Sequence, residues 1–522
     1  MLCAFRVDAS FLIGSGHVMR CLTLAHALSE LGNKALFICK EHDSNLIDKI
    51  IDSRFEVKGL PINSCNHDGA PLAHAEWLGG TQDDDSEKTI AAINSVEVDW
   101  MVIDHYAIDE CWHKRIRPHV KRILVIDDLG DRKHDCDILL NQNLGATKEK
   151  YQEMVPKDCE LLLGPEYALL RPEFAQWRDK SLERRRHVAE PKNILVSLGG
   201  VDPQNITTGV INELSKLSAL ADAEVNVVLG SQSPHINAVE MAAKKASLKI
   251  NVHVDSIKMA ELMSQADLAI GASGSSSWER CALGLPTISY VIADNQRSLA
   301  EELAKNDVSM MVQSTKDLPK AIGEIKDSLN AFSLSSAGLI DGMGASRVIN
   351  SLLFGRFRIL TDTEELVAIN LTKLSRLQLI DVLEVRNHPV VRNAMFSRKE
   401  ISQEEHFSFI EELSKNTSKQ FFAIYNGGGL IGVIYFTAIN WGLREATFGI
   451  YANLERTINC AGNKLMSVAE SIVRKLHIKY LTLQVDSENS KAIALYEKWG
   501  FVRIESFEKC GRIFLGYKGG LL

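Results

Sequence analysis

Short apolar runs alternate with amphipathic stretches through the first part of the chain. The runs at 35–39, 100–103 and 123–126 are compact and bounded by polar residues. Such runs, separated by helical patterns, predict βαβ units and a parallel sheet. An earlier extended run, residues 3–8, feeds a glycine-bearing loop, Gly14-Ser15-Gly16-His17. That loop opens an apolar helix through Val18, Leu22, Leu24, Ala25 and Leu28. The alternation restarts at residue 194, with runs at 194–198, 225–229, 268–271 and 287–291. The first of these ends in Gly199-Gly200-Val201-Asp202-Pro203, and the third enters Ala272-Ser273-Gly274-Ser275-Ser276. Two halves, each with a small-residue strand-to-helix turn, predict two Rossmann-like lobes facing a cleft. Near 354–359 the pattern changes. Strand-like runs at 420–425, 430–436 and 445–451 precede a helical stretch at 462–476 and a run at 480–485. Asn426-Gly427-Gly428-Gly429 is a hairpin signal. The expected fold class is α/β with two Rossmann-like lobes, followed by an α+β tail. The expected domains are 1–160, 161–350 and 357–522.

Residues 164–174 carry Pro165 and Pro172 and read as a connector resistant to regular structure. The run Arg184-Arg185-Arg186 behind it reads as a solvated linker. The length of 522 residues suits two to four domains, at about 100–200 residues each. A formal net charge of −8 argues against a broad nucleic-acid or anionic-membrane surface. Ten cysteines are scattered singly without Cys-x-x-Cys pairs or zinc spacing, which points to reduced thiols in a cytoplasm and to no metal site. Arg6 and Asp8 interrupt the first apolar run, so no signal peptide is expected, nor any membrane span.

Candidate chemistry gathers where strands end. Gly14 and Gly16 let backbone approach a ligand, and His17 can act as a base near neutral pH. The same spacing also suits a tight turn capped by a histidine. Asp104-His105-Tyr106 and Asp127-Asp128 follow two runs and face the same loop in a doubly wound sheet, or simply cap the next elements. Gly274, Ser275 and Ser276 can hold a pyrophosphate, with Glu279 one turn on for ribose hydroxyls. An N-cap run with a favoured glutamate reads the same way. Neither a Walker A motif nor Gly-x-Gly-x-x-Gly is present, which lowers the case for an ATPase or a dehydrogenase.

The first 350 residues resemble the UDP-sugar hydrolase family of pseudaminic acid biosynthesis. The resemblance lies in Arg6-Val7-Asp8, Ile13-Gly14-Ser15-Gly16-His17 with Arg20-Cys21, Ile103-Asp104-His105-Tyr106 and Ile126-Asp127-Asp128. It continues through Asn141-Gln142-Asn143, Gly164-Pro165-Glu166-Tyr167, Arg171-Pro172-Glu173-Phe174, Ser197-Leu198-Gly199-Gly200, the segment 274–284, Asp294-Asn295-Gln296 and Asp341-Gly342-Met343-Gly344-Ala345. It implies a glycosyltransferase B fold whose second lobe holds UDP through Gly274, Ser275, Ser276 and Glu279. It also implies loss of UDP to water from UDP-2,4-diacetamido-2,4,6-trideoxy-β-L-altropyranose, with His17 as base and inversion at the anomeric carbon. Asp8, Gly14, Gly16, Arg20, Asp104, His105, Tyr106, Arg171, Asn295 and Gln296 are the remaining expected substrate contacts. The glycine loop then faces the sugar rather than a phosphate.

The tail resembles GNAT acetyltransferases. The match is clearest in Asn489-Ser490-Lys491-Ala492-Ile493-Ala494-Leu495-Tyr496-Glu497-Lys498-Trp499-Gly500-Phe501, with Glu384-Val385-Arg386-Asn387-His388-Pro389 and His406 in support. This implies acetyl-CoA as co-substrate. Strand 448–451, with Gly449 and Tyr451, would meet the pantetheine; Gly462, Asn463 and Asn489 would hold the cofactor; Tyr496 would protonate the leaving thiolate. The pyrophosphate loop departs from the family, with Thr457 at the Gln/Arg position and Cys460 at the first glycine. In that pathway N-acetylation of a 4-amino sugar nucleotide directly precedes UDP removal, so one chain would hold two consecutive steps. Its expected partners are a UDP-linked amino sugar and acetyl-CoA, with neither nucleic acid nor membrane. Rival readings are a glycosyltransferase, a hydrolase of the legionaminic series, and a sugar-nucleotide-binding protein with an inactive tail.

Overall fold

The computed structural model describes residues 1–63, 72–292, 296–360, 364–427, 429–456, 460–509 and 511–520. Its contacts divide into two units: residues 1–345 without 27–32, and residues 346–522 with 27–32.

The first unit holds two parallel sheets. One comprises β1 (Leu2–Val7), β2 (Lys34–Lys40), β3 (Glu56–Leu60), β4 (Val98–Asp104), β5 (Val120–Ile126), β6 (Ile138–Asn141) and β7 (Glu160–Leu163). Their order is β3-β2-β1-β4-β5-β6-β7. The other comprises β8 (Asn193–Ser197), β9 (Glu224–Leu229), β10 (Lys249–Val254), β11 (Leu268–Ala272), β12 (Thr287–Tyr290) and β13 (Ser309–Val312), in the order β10-β9-β8-β11-β12-β13. In each sheet the winding direction reverses once, between β1 and β4 and between β8 and β11. Ligands of doubly wound sheets bind in the crevice beyond the carboxyl ends of such strands. The inner strands are apolar on both faces because helices cover both sides. Phe5, Phe37, Val102, Leu124, Ile194 and Ile270 are all fully buried.

Three details differ from the sequence reading. The first sheet takes in β7, so its strands pass residue 160. Pro165 and Pro172 start helices rather than prevent them. They stand at the first positions of the 3₁₀ turn Pro165–Tyr167 and the helix Pro172–Arg185, where a missing N–H costs nothing. Arg185 is buried, not solvated. Its guanidinium donates to the carbonyls of Met263 (2.6 Å) and Ala266 (2.8 Å), capping the helix Met259–Gln265.

The second unit is one mixed sheet. Its strands are β14 (Arg356–Leu360), β15 (Glu365–Asn370), β16 (Gln420–Asn426), β17 (Gly429–Asn440), β18 (Glu445–Ala452), β19 (Tyr480–Asp486), β20 (Val502–Lys509) and β21 (Arg512–Gly519). Their order is β14-β15-β16-β17-β18-β19-β21-β20. The β16–β17 hairpin pairs Asn426 with Gly429, where the glycine signal lay. β18 and β19 run parallel and pair only at Glu445↔Tyr480, Ala446↔Leu481 and Thr447↔Thr482. Beyond Thr447 they part.

Gly344 opens the helix Gly344–Phe354, where an added Cβ would lie 2.2 Å from the Ala168 carbonyl oxygen and 2.5 Å from the Tyr167 carbonyl carbon. Backbone cannot step aside as a side chain can. Gly344→Ala is expected to destabilise the first unit by about 1–3 kcal/mol, the usual cost of overpacking, as measured by denaturant unfolding.

Candidate functional site

Val7 and Asp104 are in register at the ends of β1 and β4, which sets Asp8 and Asp104 side by side at the reversal point. Their surroundings differ. Asp8 is fully buried; its Oδ1 accepts from Arg6 Nη1 (2.6 Å) and the Lys40 backbone N–H (2.7 Å), and His105 Nε2 lies 3.2 Å from Oδ2. Arg6 also grips Asp85 through Nε (3.0 Å) and Nη2 (2.7 Å), and Trp112 Nε1 donates to the same carboxylate (3.0 Å). Burial opposes ionisation of Asp8, but Arg6 and the neighbouring histidines outweigh it and hold the carboxyl well below its ordinary value. Arg6, Asp8 and Asp85 therefore form a charged floor under the loop; burial lowers the pKa of His105 beside Asp8.

Asp104 faces upward, toward the helix Gly16–Glu30. His17 lies in its first turn and Arg20 three residues on, so both share one face. His17 Nδ1 is 2.6 Å from Asp104 Oδ1. Arg20 donates Nε to Oδ2 and Nη2 to Oδ1, each at 2.6 Å. Its Nη1 reaches Asp128 Oδ2 (2.7 Å), which also accepts from the Tyr106 hydroxyl (2.9 Å). Burial works against the Asp104 anion, yet Arg20 and His17 together keep its carboxyl far below the usual range. A fixed carboxylate at Nδ1 makes that nitrogen the donor and leaves Nε2 as the basic nitrogen. Asp127 serves the frame, accepting from the Gly130 N–H (2.7 Å) and the Tyr151 hydroxyl (2.9 Å).

Two residues beside this centre escaped the sequence reading. The 3₁₀ turn Ala75–Leu78, pinned by buried Leu78, brings Trp77 against Tyr106, with centroids 5.4 Å apart and planes 23° from parallel. His74 lies 4.4 Å from the Trp77 ring, and His17 meets Tyr106 edge-on at 4.7 Å. A lone turn of His74-Ala75-Glu76-Trp77-Leu78 has neither period nor motif; two rings three residues apart in a short connection were the available signal.

The second sheet supplies the facing wall. Gly16, Met19 and Arg20 line a cleft with Gln142, Arg171, Ser275, Trp278 and Glu279. A Cβ on Gly16 would come within 3.6 Å of Ser275 Oγ, and one on Gly274 within 3.6 Å of Gln296 Nε2. Gly14 has φ +77° and needs no side chain to turn the loop. Beneath Ser276, the buried Arg280 donates to Ser276 Oγ (3.1 Å), Ser277 Oγ (3.0 Å) and the Ala272 carbonyl (2.7 Å). Burial draws its pKa down to about 10. Burial raises the Glu279 carboxyl, opposed by Arg171, whose Nη2 lies 3.9 Å away. Asn295 falls outside the described residues.

In the tail, Tyr496 lies in the helix Ser490–Lys498, and burial lifts its phenol above the ordinary value, as it does for Tyr451. Asn489 caps that helix, its Oδ1 accepting from the Ala492 N–H (3.2 Å). Asn463 Oδ1 accepts from Trp499 Nε1 (3.1 Å). Gly449 and Gly462 have packing reasons of their own. A Cβ would lie 2.1 Å from the Tyr435 ring in one case and 2.9 Å from the Leu495 side chain in the other. Cys460 is exposed, at φ +57°, heading the helix Ala461–Lys475. Thr457 falls outside the described residues.

Asp8, Asp85, Asp104 and Asp127 all sit below the ordinary carboxylate pKa. Lowered carboxyls contribute stability that is complete above about pH 4 and is lost as the pH falls toward their folded values. The thermal midpoint of the first unit is expected to fall progressively as the pH drops below about 4, followed by tryptophan fluorescence.

Residues 373–517 match the acetyltransferase (GNAT) domain family, and residues 194–337 match the glycosyltransferase family 28 C-terminal domain. Protein MJ1062 of Methanocaldococcus jannaschii is 28% identical over 309 residues, which is 58% of this chain and 58% of that protein. The chain thus spans little more than half of that relative. The UDP-2,4-diacetamido-2,4,6-trideoxy-beta-L-altropyranose hydrolase of Campylobacter jejuni is 28% identical over 302 residues, 58% of this chain and 95% of its own. The acetyltransferase PseH of Campylobacter jejuni is 30% identical over 131 residues, 25% of this chain and 80% of its own. The two doubly wound lobes are accordingly of the glycosyltransferase B type, and the mixed sheet is a GNAT domain. The chain joins a front homologous to that UDP-sugar hydrolase to a tail that belongs to the GNAT acetyltransferase family.

Proposed function

We propose that the chain performs two consecutive reactions on one UDP-linked sugar. The tail acetylates the 4-amino group, and the front hydrolyses UDP from the resulting 2,4-diacetamido-2,4,6-trideoxy sugar. The observation that carries the hydrolytic half is the His17–Asp104 contact of 2.6 Å, next to Gly16 and Arg20, which line a cleft together with Ser275 and Glu279. In this reading His17 Nε2 takes the proton of a water that attacks the anomeric carbon. A carbon–oxygen bond to water forms, and the bond to the pyrophosphate breaks with its electron pair leaving on UDP. UDP is already a good leaving group, so a base and a held anion suffice. Ser275 and Ser276 would meet the pyrophosphate. Arg280, donating to Ser276 Oγ, turns that hydroxyl's own proton outward and adds positive charge behind it. Glu279 would accept from ribose hydroxyls, with Arg171 and Gln296 at the rim. Asp8 and His105 act from the floor by fixing the backbone at the end of β1.

Acetyl-CoA would supply the acetyl group as a thioester. The parting of β18 and β19 fits it, since residues 448–452 turn unpaired main-chain groups toward β19, as a pantetheine arm requires. The sugar amine attacks the acetyl carbonyl, an amide bond forms, and the carbon–sulfur bond breaks. Tyr496, kept protonated by burial, gives its proton to the thiolate.

The test supplies the full chain with a UDP-linked 2-acetamido-4-amino-2,4,6-trideoxy sugar and acetyl-CoA. The expected products are the diacetamido sugar and free UDP; formation of neither overturns the reading. UDP release that needs an added acceptor would replace hydrolysis with glycosyl transfer. NMR of the freed sugar separates the altro isomer from the legionaminic series. His17→Ala is expected to slow UDP release by about 10²–10⁴-fold while acetylation continues, so diacetylated UDP-sugar accumulates. Tyr496→Phe should slow acetylation and leave hydrolysis of the preformed diacetamido compound unchanged.

Cys460 holds a left-handed conformation that costs a side-chain-bearing residue about 1–2 kcal/mol. Cys460→Gly removes that strain and opens the head of the helix to phosphate. It is expected to tighten acetyl-CoA binding severalfold, measured by calorimetry.

A further inference from the structure

The ring cluster beside His17 has no part in moving a proton, yet it is firmly built. Trp77 and Tyr106 stack at 5.4 Å, and His74 closes on both, 4.4 Å from Trp77 and 5.4 Å from Tyr106. His17 points its edge at the pair, 4.7 Å from Tyr106 and 6.3 Å from Trp77. Tyr106 cannot swing, because Asp128 holds its hydroxyl and the Arg132 guanidinium lies 5.9 Å over its ring. Buried Leu78 anchors the short turn that carries Trp77. Trp77 and His74 themselves are only partly buried. The result is a rigid aromatic surface, partly open, within one ring's width of the proposed base.

Such a surface prefers C–H bonds and methyl groups to hydroxyls, which would lose their water without gaining a partner. We propose that His74, Trp77 and Tyr106 form the subsite for the sugar ring, and that this subsite selects sugars whose hydroxyls are replaced by methyl-bearing acetamido and 6-deoxy groups. The proposal rests on the hydrolase reading above and adds what chooses the sugar. In that reading the nucleotide is held instead at Ser275 and Glu279, which line a cleft that none of the three rings lines. Sugar choice and UDP affinity should therefore separate on mutation.

The experiment uses the full chain without acetyl-CoA and compares UDP-2,4-diacetamido-2,4,6-trideoxyhexose, UDP-N-acetylglucosamine and UDP alone. Trp77→Ala is expected to raise KM for the diacetamido sugar by about tenfold or more, the range in which apolar pockets discriminate. UDP affinity should stay unchanged and the preference over UDP-N-acetylglucosamine should shrink; Trp77→Phe should restore most of both. An unchanged KM and preference in Trp77→Ala overturns the proposal. So does a parallel loss of UDP affinity, which would mark Trp77 as structural. A binding readout keeps the subsite separate from the reaction. The diacetamido UDP-sugar, but not UDP, should change tryptophan fluorescence in the wild type and not in Trp77→Phe. If no UDP is released by the wild type yet this signal is present, the hydrolase reading fails and the subsite stands; if the signal is the same in both proteins, the subsite fails.

Discussion

The Asp104 carboxylate is the interaction on which the first unit's site depends. It takes two bonds from Arg20 and one from His17. A buried anion is tolerable only when its partners are fixed, and here both come from one helical face. The same contacts orient the imidazole, tie Asp128 to the arrangement through Arg20, and so hold Tyr106. Removing the carboxylate would leave the buried guanidinium with Asp128 as its remaining carboxylate partner and take from the imidazole the contact that orients it. Imidazole orientation, ring placement and local stability are thus one arrangement rather than three.

The charged floor below has a different job. Arg6, Asp8, Asp85 and Trp112 join β1 to residues far along the chain by bonds that water does not reach. They fix where β1 ends, and with it the start of the glycine loop. Motif residues therefore fall into two layers. The upper layer meets the cleft, and the lower sets its geometry. This is why Asp8 and Asp104, similar in sequence as acids closing apolar strands, differ in surroundings.

Much of the fold could be read from the chain because central parallel strands are compact apolar runs. β2, β4, β5, β8, β9 and β11 were legible for that reason. β20 was not, because nearly all its side chains are exposed and its brief alternation, Val502 and Ile504, breaks off at Glu505-Ser506. β3, β10 and β13 are edge strands with one neighbour each; of these β10 does alternate, with Ile250, Val252 and Val254 separated by polar residues. Within the site, His17, Arg20 and Asp104 stood in motifs and come together. His74 and Trp77 did not, since a single 3₁₀ turn has no period to detect. Arg185 misled by composition, because a charged run says nothing of the open carbonyls that one guanidinium can satisfy.

The separation of β18 from β19 after Thr447 has a further consequence. Below that point two strands satisfy each other; above it, one strand offers its own peptide groups to whatever enters. Recognition of that kind is written in the main chain. The rhythm of donors and acceptors is set by the extended backbone, while Gly449 is held by the Tyr435 ring packed against it. What matters for such a surface is that the two strands stay apart beyond Thr447.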